Sequence, residues 1–127
     1  VSSRWKTQIN ENSKAKAFIG SMPEVHHNEI LSWQADIDGS MENFILIFLR
    51  SPFEHPQIKK RFELSEKLLG DKVQILNIFT KESKDELKIL MELVLLGDLT
   101  SIHLADNLNM RPEDIDTIEE LKKLLKG

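Results

Sequence analysis

With 127 residues, 40% of them hydrophobic and 30% charged, the chain has the size and make-up of one globular domain able to bury a core. A net charge of −4 gives no general attraction to nucleic acid or anionic membrane, and the absence of cysteine excludes disulfides, thiolate catalysis and thiolate metal sites. The longest apolar runs, such as Phe44 to Leu49, are too short to span a bilayer, and the polar stretch from Ser2 to Lys16 is not a secretory leader, so a cytoplasmic location is the default. The chain opens at Val1 within a segment that reads as mid-domain, which suggests a fragment of a longer protein.

The predicted elements alternate between helix and strand. Arg4 to Asn12 lacks Gly and Pro and reads as a helix with Trp5 and Ile9 turned inward. Ala17-Phe18-Ile19 reads as a brief strand. Pro23 suits the first turn of a helix running through His27 to Trp33, followed by a loop from Asp36 to Asn43. Phe44 to Leu49, apolar on both faces, has the pattern of a central parallel strand. A helix from Pro56 to Leu69 carries Ile58, Phe62 and Leu69 on one face and stops at Gly70. Val73 to Phe79 is the next strand. Ser83 is the expected N-cap of a long helix that Gly97-Asp98 breaks or bends and that continues from Thr100 to Leu108. Pro112-Glu113-Asp114 opens a last turn before a terminal helix, Thr117 to Lys126.

Strands separated by helices imply βαβ crossovers, hence an α/β domain with a mostly parallel sheet flanked by helices. Three strands make a small sheet for a doubly wound domain. Sites in such folds form beyond the carboxyl ends of the strands. On this reading Pro23 to Glu29, after the first strand, and the loop Arg50 to Pro56, after the second, both lie at that end.

Titratable and amide side chains crowd two short stretches, Asn10-Glu11-Asn12 and Pro23-Glu24-Val25-His26-His27-Asn28-Glu29. Glu11, partly desolvated, would serve as a general base, and His27 moves protons near neutral pH. Together they suit proton abstraction beside a carbonyl. Spacing alone favours the plainer reading, a solvated Glu11 and histidines that merely cap or line a helix start.

A metal site is not expected. Neighbouring histidines on a helix diverge by about 100°. His27 and Glu24 share a face, but no third ligand is evident, although His55 and His103 occur elsewhere. No Gly-rich phosphate loop or nucleophile elbow is present. Leu99 to Leu121 has the order of a helix-turn-helix, but Glu119 and Glu120 beside Lys122, Lys123 and Lys126 read as a solvated face, and no nucleic acid partner is expected.

The run Arg4-Trp5-Lys6-Thr7-Gln8-Ile9-Asn10-Glu11-Asn12-Ser13-Lys14, then Pro23-Glu24, then His27-Asn28-Glu29-Ile30, resembles the C-terminal half of bifunctional phosphoglucose/phosphomannose isomerases. So does the ending: Gly97-Asp98-Leu99-Thr100-Ser101, Leu104-Ala105, Pro112, Ile118 and Leu121-Lys122. The likeness runs in order along the whole chain, and its specific parts are Asn-Glu-Asn and His-Asn-Glu.

It implies a three-layer sugar isomerase (SIS) domain, one of two in the family's enzymes, that interconverts fructose 6-phosphate with glucose 6-phosphate and mannose 6-phosphate without metal or cofactor. By motif, Glu11 matches the base that shuttles a proton between C1 and C2. His27 matches the histidine that assists ring opening. Lys122 matches a lysine near the sugar oxygens, with Lys123 one register away. His26 stands where relatives commonly have Asn, and Arg111 where an acidic residue commonly precedes the late proline. The family's first SIS domain, which supplies most of the phosphate-binding loop, is not in this chain, so this chain alone is expected to be a poor catalyst. A homodimer is the expected assembly. The alternative is a SIS-like module that binds a sugar phosphate without turnover.

Overall fold

A computed structural model describes residues 1–35, 39, 41–80 and 83–127 of the chain. Most of the loop expected at 36–43 therefore lies outside the described residues. The chain divides into two compact units, Val1–Phe18 with Val94–Gly127, and Ile19–Leu93.

The second unit holds the sheet. β1 (Ile45–Arg50) and β2 (Gln74–Phe79) pair in parallel, from Ile45 opposite Gln74 to Arg50 opposite Phe79, and α2 (Pro56–Leu69) joins them as a βαβ crossover. Both strands are rich in the Ile, Leu and Phe that favour pleated, packed surfaces. His55 begins α2: its Nδ1 accepts from the Gln57 N–H at 3.2 Å, and Pro56, lacking an N–H, takes the first helical position. Gly70 closes the helix in right-handed backbone, where a Cβ would stand 2.7 Å from the Glu66 carbonyl oxygen. Met41, Leu69 and Val73 form a buried cluster, packed by Ile30, Trp33, Leu46 and Ile75.

Among the described residues the sheet has two strands, so each is an edge rather than the covered central strand that Phe44 to Leu49 suggested. Leu76 and Phe79 remain exposed. Residues 17–19 are not a strand: Phe18 is 76% exposed, and among the described residues no strand pairs with this segment. Pro23 to Glu29 consequently does not follow a strand. The helix expected from Pro23 to Trp33 is instead two short 3₁₀ turns, Glu24–His26 and Glu29–Trp33; a third is Met41–Asn43.

In the first unit, α1 (Ser2–Gln8) passes into a π-helical turn, Ile9–Ser13. α3 (Glu86–Asn107), which belongs to the second unit up to Leu93 and to the first from Val94, runs unbroken through Gly97, contrary to the expected bend. That glycine makes room for the Trp5 indole, which a Cβ at residue 97 would overlap. The N-cap of α3 is Asp85 rather than Ser83: Asp85 Oδ1 accepts from the Lys88 N–H at 3.2 Å, while Ser83 Oγ accepts from the Asp85 N–H at 3.1 Å. Asn109, in left-handed backbone (φ 53°), ends α3 with paired bonds from Met110 N–H to Ala105 O and from Asn109 N–H to Asp106 O. α4 (Asp116–Leu125) closes the chain.

Candidate active site

Glu11 sits in the π-helical turn, a rare widened turn that recurs at functional sites. Its neighbours hold the turn in shape. Asn10 Oδ1 accepts from the Ala17 N–H at 2.8 Å. Asn12 Nδ2 donates to Ser101 Oγ of α3 at 2.8 Å and to Gln8 Oε1 at 3.3 Å. Buried Ser13 donates its hydroxyl to the Ile9 carbonyl at 2.5 Å. Lys14, at φ 59°, ends the turn, and its Nζ donates to the Glu11 and Pro112 carbonyls at 2.7 and 3.3 Å. The Glu11 carboxylate itself is exposed and, among the described residues, makes no hydrogen bond or ion pair. Its two flanking amides are spent on structure, whereas the acid between them holds no such bond.

Arg4 lies in the same unit and grips Asp98 at both oxygens, 2.9 and 3.0 Å. The hydrogen bond to Asp98 and its charge raise the Arg4 guanidinium further above its ordinary range, with a smaller push from the Glu11 charge. The same bond holds the Asp98 carboxyl below its usual range.

Lys122 also belongs to the first unit, exposed on α4. At about 100° per residue it stands beside the stripe formed by Ile118, Leu121 and Leu125, whereas Lys123 falls with Glu119 and Glu120 on the charged side. Among the described residues no bond joins Lys122 to Glu11.

His27 lies in the second unit, exposed at the end of the first 3₁₀ turn, its N–H donating to the Glu24 carbonyl at 2.8 Å. His26 has the opposite environment. Its ring is half-buried against α2, with Nε2 2.7 Å from Ser65 Oγ and Nδ1 3.2 Å from Arg61 Nη1. Burial, with the Arg61 charge second, pushes the His26 imidazole below its ordinary range. The two rings therefore cannot be exchanged for one another. Among the described residues no three His, Asp or Glu side chains gather as metal ligands do.

The sequence reading missed the cluster at the carboxyl ends of β1 and β2. Arg50 is 5% exposed, with Nε and Nη2 each 2.8 Å from a Glu54 oxygen. Its Nη1 donates to Asn77 Oδ1 at 3.3 Å, and its guanidinium lies over the Phe62 and Phe79 rings at 4.4 and 5.2 Å. Asn77 Nδ2 donates to Glu66 in turn, and the Ser51 N–H donates to Glu54 at 2.7 Å. Burial pushes the Glu54 carboxyl up, but the bonds from Arg50 and Ser51 and the Arg50 charge outweigh it, leaving the group below its ordinary range. The signal was there to find: a charge closing an apolar strand with an opposite charge four residues on. The cluster is saturated by its own members and fixes the loop 51–55.

The parallel βαβ unit makes this an α/β fold, consistent with a domain of the SIS kind. The chain belongs to the bacterial phospho-glucose isomerase C-terminal SIS domain family, whose profile matches residues 1–125. It is 33% identical over 127 residues to the bifunctional phosphoglucose/phosphomannose isomerase of Aquifex aeolicus, covering 99% of this chain and 39% of that protein. The enzyme of the same description from Thermoplasma volcanium is 32% identical over 123 residues, 97% of this chain and 38% of its own length. The D-glucosamine-6-phosphate 4-epimerase of Sulfolobus acidocaldarius is 27% identical over 123 residues, 97% of this chain and 35% of that protein. The chain thus spans less than two-fifths of the length of each of these relatives. Among the described residues no helix is long and apolar enough to cross a membrane.

Proposed function

We propose that the chain is the C-terminal SIS domain of a metal-independent aldose–ketose isomerase that interconverts fructose 6-phosphate with glucose 6-phosphate and mannose 6-phosphate. The observation that carries this reading is the unengaged Glu11 carboxylate, presented from a π-helical turn whose flanking asparagines are tied down. Membership of the family and the names of the relatives from Aquifex and Thermoplasma support it.

Chemistry follows from the residue types. His27 moves a proton at the ring oxygen as the cyclic sugar opens. Glu11 then takes the proton on C1 of the open-chain ketose; the C–H electron pair forms the C1–C2 double bond, and the carbonyl oxygen takes up a proton to give the enediol. Returning the proton from Glu11 to C2, as the C1 hydroxyl gives up its proton and becomes the carbonyl, gives the aldose, glucose or mannose according to the face of C2 turned toward Glu11. Lys122, as a cation near the sugar oxygens, stabilises the negative charge that develops there. An N-terminal SIS domain supplies the phosphate-binding loop, a homodimer is the working assembly, and the protein acts in the cytoplasm.

The test is a coupled assay on fructose 6-phosphate that detects glucose 6-phosphate and mannose 6-phosphate separately, run on the full-length protein, with and without EDTA, and on this chain alone. Both products from the full protein, undiminished by EDTA, with none from the chain alone, are expected. Binding without turnover would instead favour the non-catalytic module. The likeness to the Sulfolobus epimerase favours one second reading, epimerisation at C4 of an amino-sugar phosphate, which is tested by supplying glucosamine 6-phosphate to the full-length protein and assaying for its C4 epimer.

A further inference from the structure

Ser65 sits 2% exposed in α2, and its hydroxyl hydrogen is committed to the Arg61 carbonyl at 2.9 Å. Ser65 Oγ can therefore only accept from His26, so the proton of the His26 ring is on Nε2 and Nδ1 accepts from Arg61. Arg61 and Ser65 are one turn apart on the same helix face, and His26 spans them. The ring that stands beside the motif histidine is thus a two-point tie between the Glu24–His26 turn and α2.

Residues in a 3₁₀ turn advance by about 120°. When His26 is held against α2, the next side chain is turned away from it, and His27 is indeed exposed. Without the tie, the backbone bonds of the turn, His26 N–H to Pro23 O and His27 N–H to Glu24 O, would shape it but not fix which histidine faces α2.

We propose that His26, hydrogen-bonded between Arg61 and Ser65, is a positioning residue that sets the outward presentation of His27. The proposal rests on the assignment of His27 to ring opening and extends it. Asn at residue 26 would offer the same kinds of group, an oxygen to accept from Arg61 and an amide to donate, on a shorter arm.

The experiment uses the full-length protein and compares His26→Ala, His26→Asn and Arg61→Gln on cyclic fructose 6-phosphate and on solvent-proton exchange with an open-chain analogue. His26→Ala and Arg61→Gln are expected to slow turnover of the cyclic substrate about 10- to 100-fold, the scale of a misplaced catalytic group. Exchange with the analogue should stay within about twofold, and His26→Asn should restore part of the loss. Equal losses on both substrates, or no loss on either, would overturn the proposal. Imidazole ¹⁵N spectra carry the test independently of turnover: His26 should be the neutral Nε2–H form, and Arg61→Gln should shift both His26 and His27 resonances. A wild-type protein without isomerase activity sinks the parent assignment, whereas a His26 found protonated at Nδ1, or His27 resonances indifferent to Arg61→Gln, sinks this one.

Discussion

Asn12 Nδ2 lies 2.8 Å from Ser101 Oγ, tying the turn that carries Glu11 to α3 across 89 residues of chain. Ser101 is fully buried and passes its own hydroxyl hydrogen to the Asp98 carbonyl at 2.7 Å. Removing that hydroxyl leaves the Asn12 amide with a weaker set of partners. Ser101→Ala should cost about 1–3 kcal/mol, the scale of an unsatisfied polar group. Urea denaturation measures it, and kcat of the full-length protein should fall more than KM rises.

Glu11→Gln keeps the size of the side chain and removes its basicity. Because the carboxylate makes no structural bond, stability should move by less than about 0.5 kcal/mol, as at an ordinary surface position. Exchange of the C2 proton with solvent should fall about 10²- to 10⁴-fold, the usual contribution of a general base. Persistent exchange would assign the base elsewhere.

Arg50 and Glu54 are a buried pair, 6% and 11% exposed at their side chains. Arg50→Ala should destabilise by about 3–5 kcal/mol, because it strands a buried carboxylate, whereas the double change Arg50→Met with Glu54→Leu should cost far less. Chemical denaturation of the three proteins gives the comparison.

The same pair sets an acid limit. The folded Glu54 carboxyl titrates below its unfolded counterpart, so the folded state holds fewer protons in that interval. Its contribution is complete above the unfolded value of about 4.3 and is lost as pH falls through the lower folded value. Thermal unfolding between about pH 5 and pH 2 should show this loss, and Arg50→Met with Glu54→Leu should flatten it.

Gly97→Ala tests the seat of Trp5. Alanine is favoured over glycine in a helix by about 1 kcal/mol, but its Cβ would overlap the buried indole, an overpacking that costs about 1–3 kcal/mol. A net fall in Tm is expected.

Elements written as local patterns were legible. The apolar runs behind β1 and β2, the Ile58, Phe62 and Leu69 face of α2 and its stop at Gly70 need only neighbouring residues to declare themselves. The family likeness, carried by Asn-Glu-Asn and His-Asn-Glu, was equally open to reading, and the matching profile bears it out. Ala17 to Ile19 misled because an apolar triplet becomes a strand only when another strand pairs with it, which a one-dimensional pattern does not contain.

The sequence by itself determined the α/β class, the principal helices and strands and the family, since periodicity, caps and motif order are local properties. Tertiary structure decided which partners several side chains meet. Asn12 became a brace because Ser101 comes to meet it, Gly97 a seat for Trp5 rather than a helix break, and His26 a tie because Arg61 and Ser65 face it. Burial and hydrogen-bond partnership depend on residues brought together from tens of positions away, and those partners exist only once the chain has folded.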